Sequence, residues 1–533
     1  MTETLTQTVV NDLTQYDGPW GPEQAAHLLR RTSYGLLQSE IDQLVELGMD
    51  AAVDILLEDK PLPPPPINYN FENDPNVAIG ETWVGQTLEE DDGVLNYRRQ
   101  SFRPWMIDTA RKERMSIREQ MVLFWINHFG ITGVNIPQVR YEYHTTLQTF
   151  ALGNFRELIK AVTINPAMLV FLNGNQNNAN SPNENYAREL LELFTVGKGP
   201  QIGPGDYSNY TEDDVRAIAR ALTGWRTRYF NSTEFLPESY YQANRHDTGD
   251  KQLSYHFNND IITNADDQEY AVVVDRIFQQ PACAYFICRK LYRHFVYYEI
   301  TEEEEVNIIG PMAQMLIAAD YEIRPVMSAL LKSKHFYDLE NRGPMIKNPL
   351  QLVIGMLRTF DYQHLSPTLN QERLILQTYY GRARNMEMDY FNLPSVAGWE
   401  AYYQAPAFYR IWINSSTLQE RIRFTNQVTN NGFNLNGLRF RFDYLGFIEN
   451  IPDATDPNAL ILALSKLLVP RPLTDTQLAN LKEALIPGLP DFEWTVEYGM
   501  YLSEPSPELE AAVEDKLKDL FRAFFNLAEF QLV

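Results

Sequence analysis

Six side chains able to bind ions, form hydrogen bonds or move protons fall between residues 183 and 192: Asn183, Glu184, Asn185, Arg188, Glu189 and Glu192. At about 100° per residue, Glu184, Asn185, Arg188, Glu189 and Glu192 share one side of a helix, and Tyr186, Ala187, Leu190, Leu191, Leu193 and Phe194 share the other. Pro182 precedes this helix and Asn183 is its expected N-cap. A second helix follows. Thr211 and Asp214 match a capping box, Val215, Ile218, Ala219 and Leu222 form a buried stripe, and Gly224 ends the run. Arg216 and Arg220 stand one turn apart on its other side. Charged faces of this kind ordinarily meet water, and the spacing of Glu184 and Arg188 allows an i,i+4 pair worth about 0.2–0.5 kcal/mol.

Histidines elsewhere extend the chemistry. His128 lies in a Trp- and Phe-rich helical run, and His246-Asp247 is followed by Lys251 in a Tyr- and Asn-rich stretch. Carboxylates on one helix face, joined by histidines from other segments, are how helical bundles build metal centres. His128, Glu189, Glu192 and His246 are the ligands such a site would use, for a divalent metal such as zinc, iron or manganese. The diagnostic Glu-x-x-His pair is absent. A metal-free acid/base site is the other catalytic reading. In it Glu184 or Glu189 beside Arg188, with His128 or His246-Asp247 opposite, exchanges protons, and Asn127, Asn183, Asn185, Arg216, Arg220, Lys251 and Trp399 contact substrate. Either arrangement suits hydrolase or lyase chemistry, and the metal form also suits an oxidoreductase. No Gly-x-Ser-x-Gly elbow, Walker loop or dinucleotide fingerprint is present, which removes support from the commonest serine hydrolases, P-loop enzymes and Rossmann oxidoreductases. The non-enzymatic alternative is a binding or assembly component. Satisfied Asn, Glu, Arg and His networks also hold large helical proteins together. Aromatic stretches at 227–257 and 378–412, including Trp399, Tyr402, Tyr403, Phe408, Tyr409 and Trp412, offer stacking surfaces or core.

The elements that must position these residues read as all-α: a large multi-helix, bundle-like architecture with long irregular loops and at most a minor β-hairpin. The chain's 533 residues exceed one ordinary core. Three units are expected: N-terminal helices and a proline-rich strap at 1–94, a main helical domain at 95–425 and a C-terminal helical subdomain at 426–533. Pro22 suits a first helical turn, and Ser39 with Asp42 resembles a capping box. The run 61–66 (LPPPPI) excludes helix, and the acidic stretch to about 93 reads as a surface loop. The net charge of −25 opposes nucleic acid and anionic membrane surfaces as partners. Cys283 and Cys288, five apart on different faces of a helical run, form neither a zinc motif nor a disulfide framework. No secretory signal and no long apolar run are visible, so no membrane insertion and a cytoplasmic location are expected, with signal-independent export as the alternative.

The run from Asn183 to Gly197 (NENYARELLELFTVG) resembles the signature of the bacterial domain-of-unknown-function 1800 family, and Tyr210–Val215 with Ala221–Trp225 resembles a second signature. Other blocks agree in order: His27–Arg31 with Tyr34-Gly35, Phe124–Phe129, His246-Asp247 with Lys251, Leu291–Arg293, Ile346–Pro349 and Pro394–Trp399. The resemblance spans roughly 20–425, with a looser tail. It implies no established reaction. It does imply frequent export and a protein partner from a sulfatase-like family often encoded nearby.

Overall fold

A computed structural model of the chain describes residues 13–360, 366, 368–399 and 408–533. Tyr402, Tyr403 and the side chain of Phe408 lie outside the described residues. The fold is mainly helical. Four two-stranded antiparallel ribbons, rather than one hairpin, interrupt the helices among the described residues. The longest-registered of these pairs Trp225–Arg228 with Glu238–Tyr241.

Helix α1 (Pro22–Thr32) begins with its proline in the first turn, where a missing N–H costs nothing. It is buried on nearly every side, including its polar residues. His27 meets the Phe336 carbonyl at 2.9 Å, Arg31 donates to Asn341 O, and Arg30 donates to the carbonyls of Lys466 and Val469. The basic residues of α1 therefore cap carbonyls at the ends of helical segments far away in the sequence. Helix α2 (Gln38–Leu47) starts one residue before the expected capping box and has no side-chain cap. Gln38 instead donates to Asp42 at 2.8 Å. Helix α3 (Met49–Leu56) follows.

The proline run leads out of α3 in extended form, held by the Trp105 indole N–H on Pro64 O and by Arg118 on Pro61 O. The next stretch is not the plain surface loop expected. Trp83 and Val77 are buried, Asn68 donates to Phe71 and Val77 carbonyls, and Asp74 takes a bidentate pair from Arg98. Large apolar side chains and one paired charge fold this irregular backbone against α4 (Asp92–Lys112).

Helices α5 (Arg118–His128), α6 (Pro137–Thr149), α7 (Phe155–Thr163) and α8 (Pro166–Phe171) build the centre. The break between α7 and α8 falls at the expected Asn165-Pro166, with Asn165 capping α8. Helices α9 (Glu184–Glu189), α10 (Glu212–Ala221), α11 (Glu269–Ile277) and α12 (Pro281–Phe295) surround the predicted site. Both cysteines are buried on α12. One continuous apolar core reaches from Ala25 to Phe530 and takes residues from all three units drawn on the sequence.

Candidate functional site

The helix opening at Asn183 is not regular. Six residues are α-helical, and Leu190–Thr195 then widens into a π turn. The Thr195 hydroxyl donates to Leu190 O at 2.6 Å, and the Val196 and Gly197 N–H groups both reach Leu191 O. The backbone carbonyls left over at Leu193 and Phe194 need partners. Lys290 of α12 lies 3.4 Å from Leu193 O, and the His128 imidazole lies 3.0 Å from Phe194 O. A π turn inside an α-helix is a frequent companion of functional sites. Here its unused carbonyls explain why His128 meets this helix at all.

His128 is buried among Phe124, Trp125, Phe129, Phe155 and Phe194. Its Nε2 faces a carbonyl and so carries the proton, leaving Nδ1 to accept from Lys290 at 3.1 Å. Burial, then the Lys290 charge, drives its pKa well below the usual histidine value. A neutral ring with both nitrogens occupied caps a helix. Asn127 is likewise committed. Its side-chain oxygen accepts from the Trp399 N–H at 2.7 Å, and Gly398, at φ +67°, lets the two backbones touch. Trp399 is buried against Trp412.

On the outer side, Asn183 caps α9 by accepting from Tyr186 N–H, and its amide donates to Leu172 O. Glu184 and Asn185 are exposed. Arg188 does not pair with Glu184 one turn back. It forks onto Glu212 of α10 at 2.7 and 2.6 Å, because packing α9 on α10 offers a bidentate carboxylate that the same-helix spacing cannot. That hydrogen bonding holds the Glu212 carboxyl below its ordinary pKa. Glu192 accepts from Tyr210 Oη at 2.9 Å and lies 3.5 Å from Lys198. Glu189 is half-buried, and burial followed by the neighbouring Glu192 raises its pKa. Glu189 therefore holds its proton more readily than a free glutamate does.

A third cluster lies at the far end of α10. Thr211 and Asp214 form the expected capping box, but Asp214 is buried and also binds the Ser254 hydroxyl and N–H. Arg220 forks onto Asp247 at 2.7 and 3.0 Å, while Arg216 is exposed and turns back to Asp213. His246 sits between the Thr223 carbonyl at 2.9 Å and Glu269 at 3.0 Å. Lys251 pairs with the same Glu269, and both side chains are 0% exposed. Burial alone would lower the His246 pKa, but the Glu269 carboxylate and Thr223 carbonyl outweigh it and the net shift is upward.

The predicted residues thus separate into three groups. His128 reaches the π turn from the buried side, Glu189 and Glu192 line its outer side, and His246, Asp247 and Lys251 join Arg220 around Glu269. Among the described residues no three His, Cys, Asp or Glu side chains are placed to hold a metal ion together, so His128, Glu189, Glu192 and His246 form no such set. Sequence reading missed Glu269, Lys290 and Glu212, the partners that close these groups. Glu269 is 23 residues from His246, and local spacing carries no trace of that meeting.

A family model described as "Protein of unknown function (DUF1800)" matches residues 27–532. The chain belongs to the DUF1800 family. No curated protein and no solved structure matches it. The DUF1800 match runs past residue 425, so the tail after that point belongs to the family unit as well. In this DUF1800 chain the two signature blocks are α9 with its π turn and α10, and the Arg188–Glu212 fork joins them.

The His246 group sets a pH dependence. Its pKa is raised on folding, so its contribution to stability is whole below the unfolded value of about 6.5 and fades as pH rises through the higher folded value. Urea midpoints for the chain and for His246→Gln are expected to differ most at pH 6 and to converge toward pH 9. A difference that grows with pH would contradict the assignment.

Proposed function

We propose that this chain is a binding or assembly component that docks a partner protein through the Phe492–Ser503 helix. One observation carries the reading. Phe492, Val496 and Met500 follow one another by single turns and are 59%, 52% and 52% exposed, whereas Trp494 and Tyr498 of the same helix are buried. This helix packs with one apolar side and presents another to solvent. Such a contiguous stripe marks an interaction site more often than scattered exposed side chains do. Glu493 borders it, as does Glu497, whose carboxylate is paired with Lys516, in a chain of net charge −25. A second copy would set one acidic rim against another. The complementary occupant is an amphipathic helix of a different protein with Lys or Arg flanking its apolar face. The sulfatase-like partner implied by the family resemblance is the first to test.

The polar groups around α9 and α10 support catalysis less well. Arg188, Arg220, His128, His246 and Lys251 each have a partner inside the fold. No described helix is long and apolar enough to cross a membrane, so docking on a protein is also preferred to insertion.

A photo-crosslinking side chain at Val496 is expected to join the chain to one dominant protein through a basic-flanked amphipathic segment. With the crosslinker kept at Val496, Phe492→Asp with Met500→Glu is expected to abolish the adduct and leave the melting temperature unchanged. Crosslinking to the chain itself, or the same adducts from a crosslinker at exposed Glu508, would overturn the proposal.

A further inference from the structure

A second site, distinct from this docking helix and from the α9–α10 clusters, lies between α5, α6 and the segment 390–393. A cavity of about 30 Å³ there is lined by Phe129, Arg140, His144, Tyr390 and Phe391, among others. That space is enough for about two waters, or for the head of a small organic molecule.

Two features make it a built site. His144 is 2% exposed, and neither ring nitrogen meets a hydrogen-bond partner among the described residues. It is edged by Phe102, Trp105 and Tyr390, with ring centres 5.1–6.0 Å away. Buried polar atoms are nearly always paired, so an imidazole with two free nitrogens on a cavity wall points to something in the cavity. Burial lowers its pKa to about 3, which leaves the ring neutral at ordinary pH, with one donor and one acceptor. The second feature is charge. Arg140 donates through Nε and one terminal nitrogen to Val134 O and lies over the Phe391 ring at 5.3 Å, with no ion pair among the described residues. Its pKa, lowered by burial to about 10, keeps it cationic. Arg99 and Arg103 act on the same charge, and neither forms an ion pair among the described residues: Arg99 donates to Asn96, and Arg103 lies over Tyr380. Asp389 is the carboxylate that acts on Arg140, and it accepts from the Tyr380 hydroxyl. In a chain with 25 more acidic than basic groups, a cavity-lining guanidinium without an ion pair among the described residues, with two more guanidiniums near enough to act on it, forms an anion-attracting spot.

We propose that this cavity binds a short-chain organic carboxylate, its anionic end held by the Arg140 guanidinium, its apolar stem against Phe129 and Phe391, and a polar substituent or carboxylate oxygen on the His144 ring. The walls decide against inorganic phosphate. Two of the three Arg140 nitrogens are already used, and the neutral His144 ring adds a single N–H, too few donors among mostly apolar walls for a multiply charged oxyanion.

The test is ligand-observed NMR and thermal shift on the full chain with sodium propionate and, separately, inorganic phosphate. Saturable propionate binding is expected, with a melting temperature that rises with concentration and no response to phosphate. Arg140→Gln and His144→Phe are each expected to weaken propionate binding roughly tenfold or more, the loss typical of a charge-assisted hydrogen bond. Circular dichroism confirms folding of each variant, and Glu508→Gln, exposed and outside the cavity lining, serves as a variant expected to bind normally. Absence of saturable binding, equal binding of phosphate, or propionate binding unchanged in folded Arg140→Gln would overturn the proposal.

Discussion

Glu269→Ala is expected to lower stability by about 3–5 kcal/mol, the loss typical when one partner of a buried ion pair is removed. Glu269 is fully buried, and it serves Lys251, His246 and the Ala265 N–H together. Its removal leaves a buried ammonium with the Asp247 carbonyl as its one remaining hydrogen-bond partner among the described residues. Urea unfolding followed by far-UV circular dichroism reads the loss directly. The cost belongs to the orphaned charge, so a paired replacement, Lys251→Met with Glu269→Leu, is expected to recover most of the stability. An unchanged midpoint in Glu269→Ala would show that the cluster does not hold α10 and α11 together. That result would return His246 and Lys251 to the list of functional candidates.

Arg358→Ala is expected to cost a similar amount, again about 3–5 kcal/mol. One terminal nitrogen of Arg358 donates to both Glu40 oxygens at 2.7 Å, its Nε donates to the Gly35 carbonyl and its other terminal nitrogen to the carbonyls of Arg111 and Glu113. A single buried side chain thereby joins α2, the end of α4 and the Pro349–Thr359 helix. Arg358→Lys keeps the charge but loses the planar fork, so it is expected to recover only part of the loss. Glu40→Ala added to Arg358→Ala is expected to cost little more, because the two act as one unit. Additive losses in the urea midpoints would contradict that coupling.

Much of the local structure was legible in the chain. Pro22 at the head of α1, Asn165-Pro166 between α7 and α8, Asn183 as a cap and the Thr211/Asp214 box all act within a turn of themselves, where sequence spacing fixes distance. The helical class followed from apolar stripes of the same kind, and the ordered signature blocks carried the family. The failures share a cause. Ser39 and Asp42 have the right spacing for a cap, yet the helix starts at Gln38. The run Glu184–Phe194 has a regular helical pattern, yet a π turn opens where Lys290 and His128 reach its carbonyls. Trp83 pulls an acidic, aperiodic stretch into the core.

The polar face that heads the sequence reading shows the division most plainly. Helical pitch is a local property, so the spacing of the residues already puts Arg188, Glu189 and Glu192 on a side of one helix and Arg220 on a side of the next. That Arg188 turns to Glu212, that Arg220 turns to Asp247, and that His128 arrives from behind as a cap depend on the packing of distant segments. A long charged side chain reaches several candidate partners, and which carboxylate or carbonyl is nearest depends on how helices far apart in the chain are packed. The same holds for His144: its place on α6 is written in the sequence, but that neither nitrogen meets a partner among the described residues follows only from what packs around it.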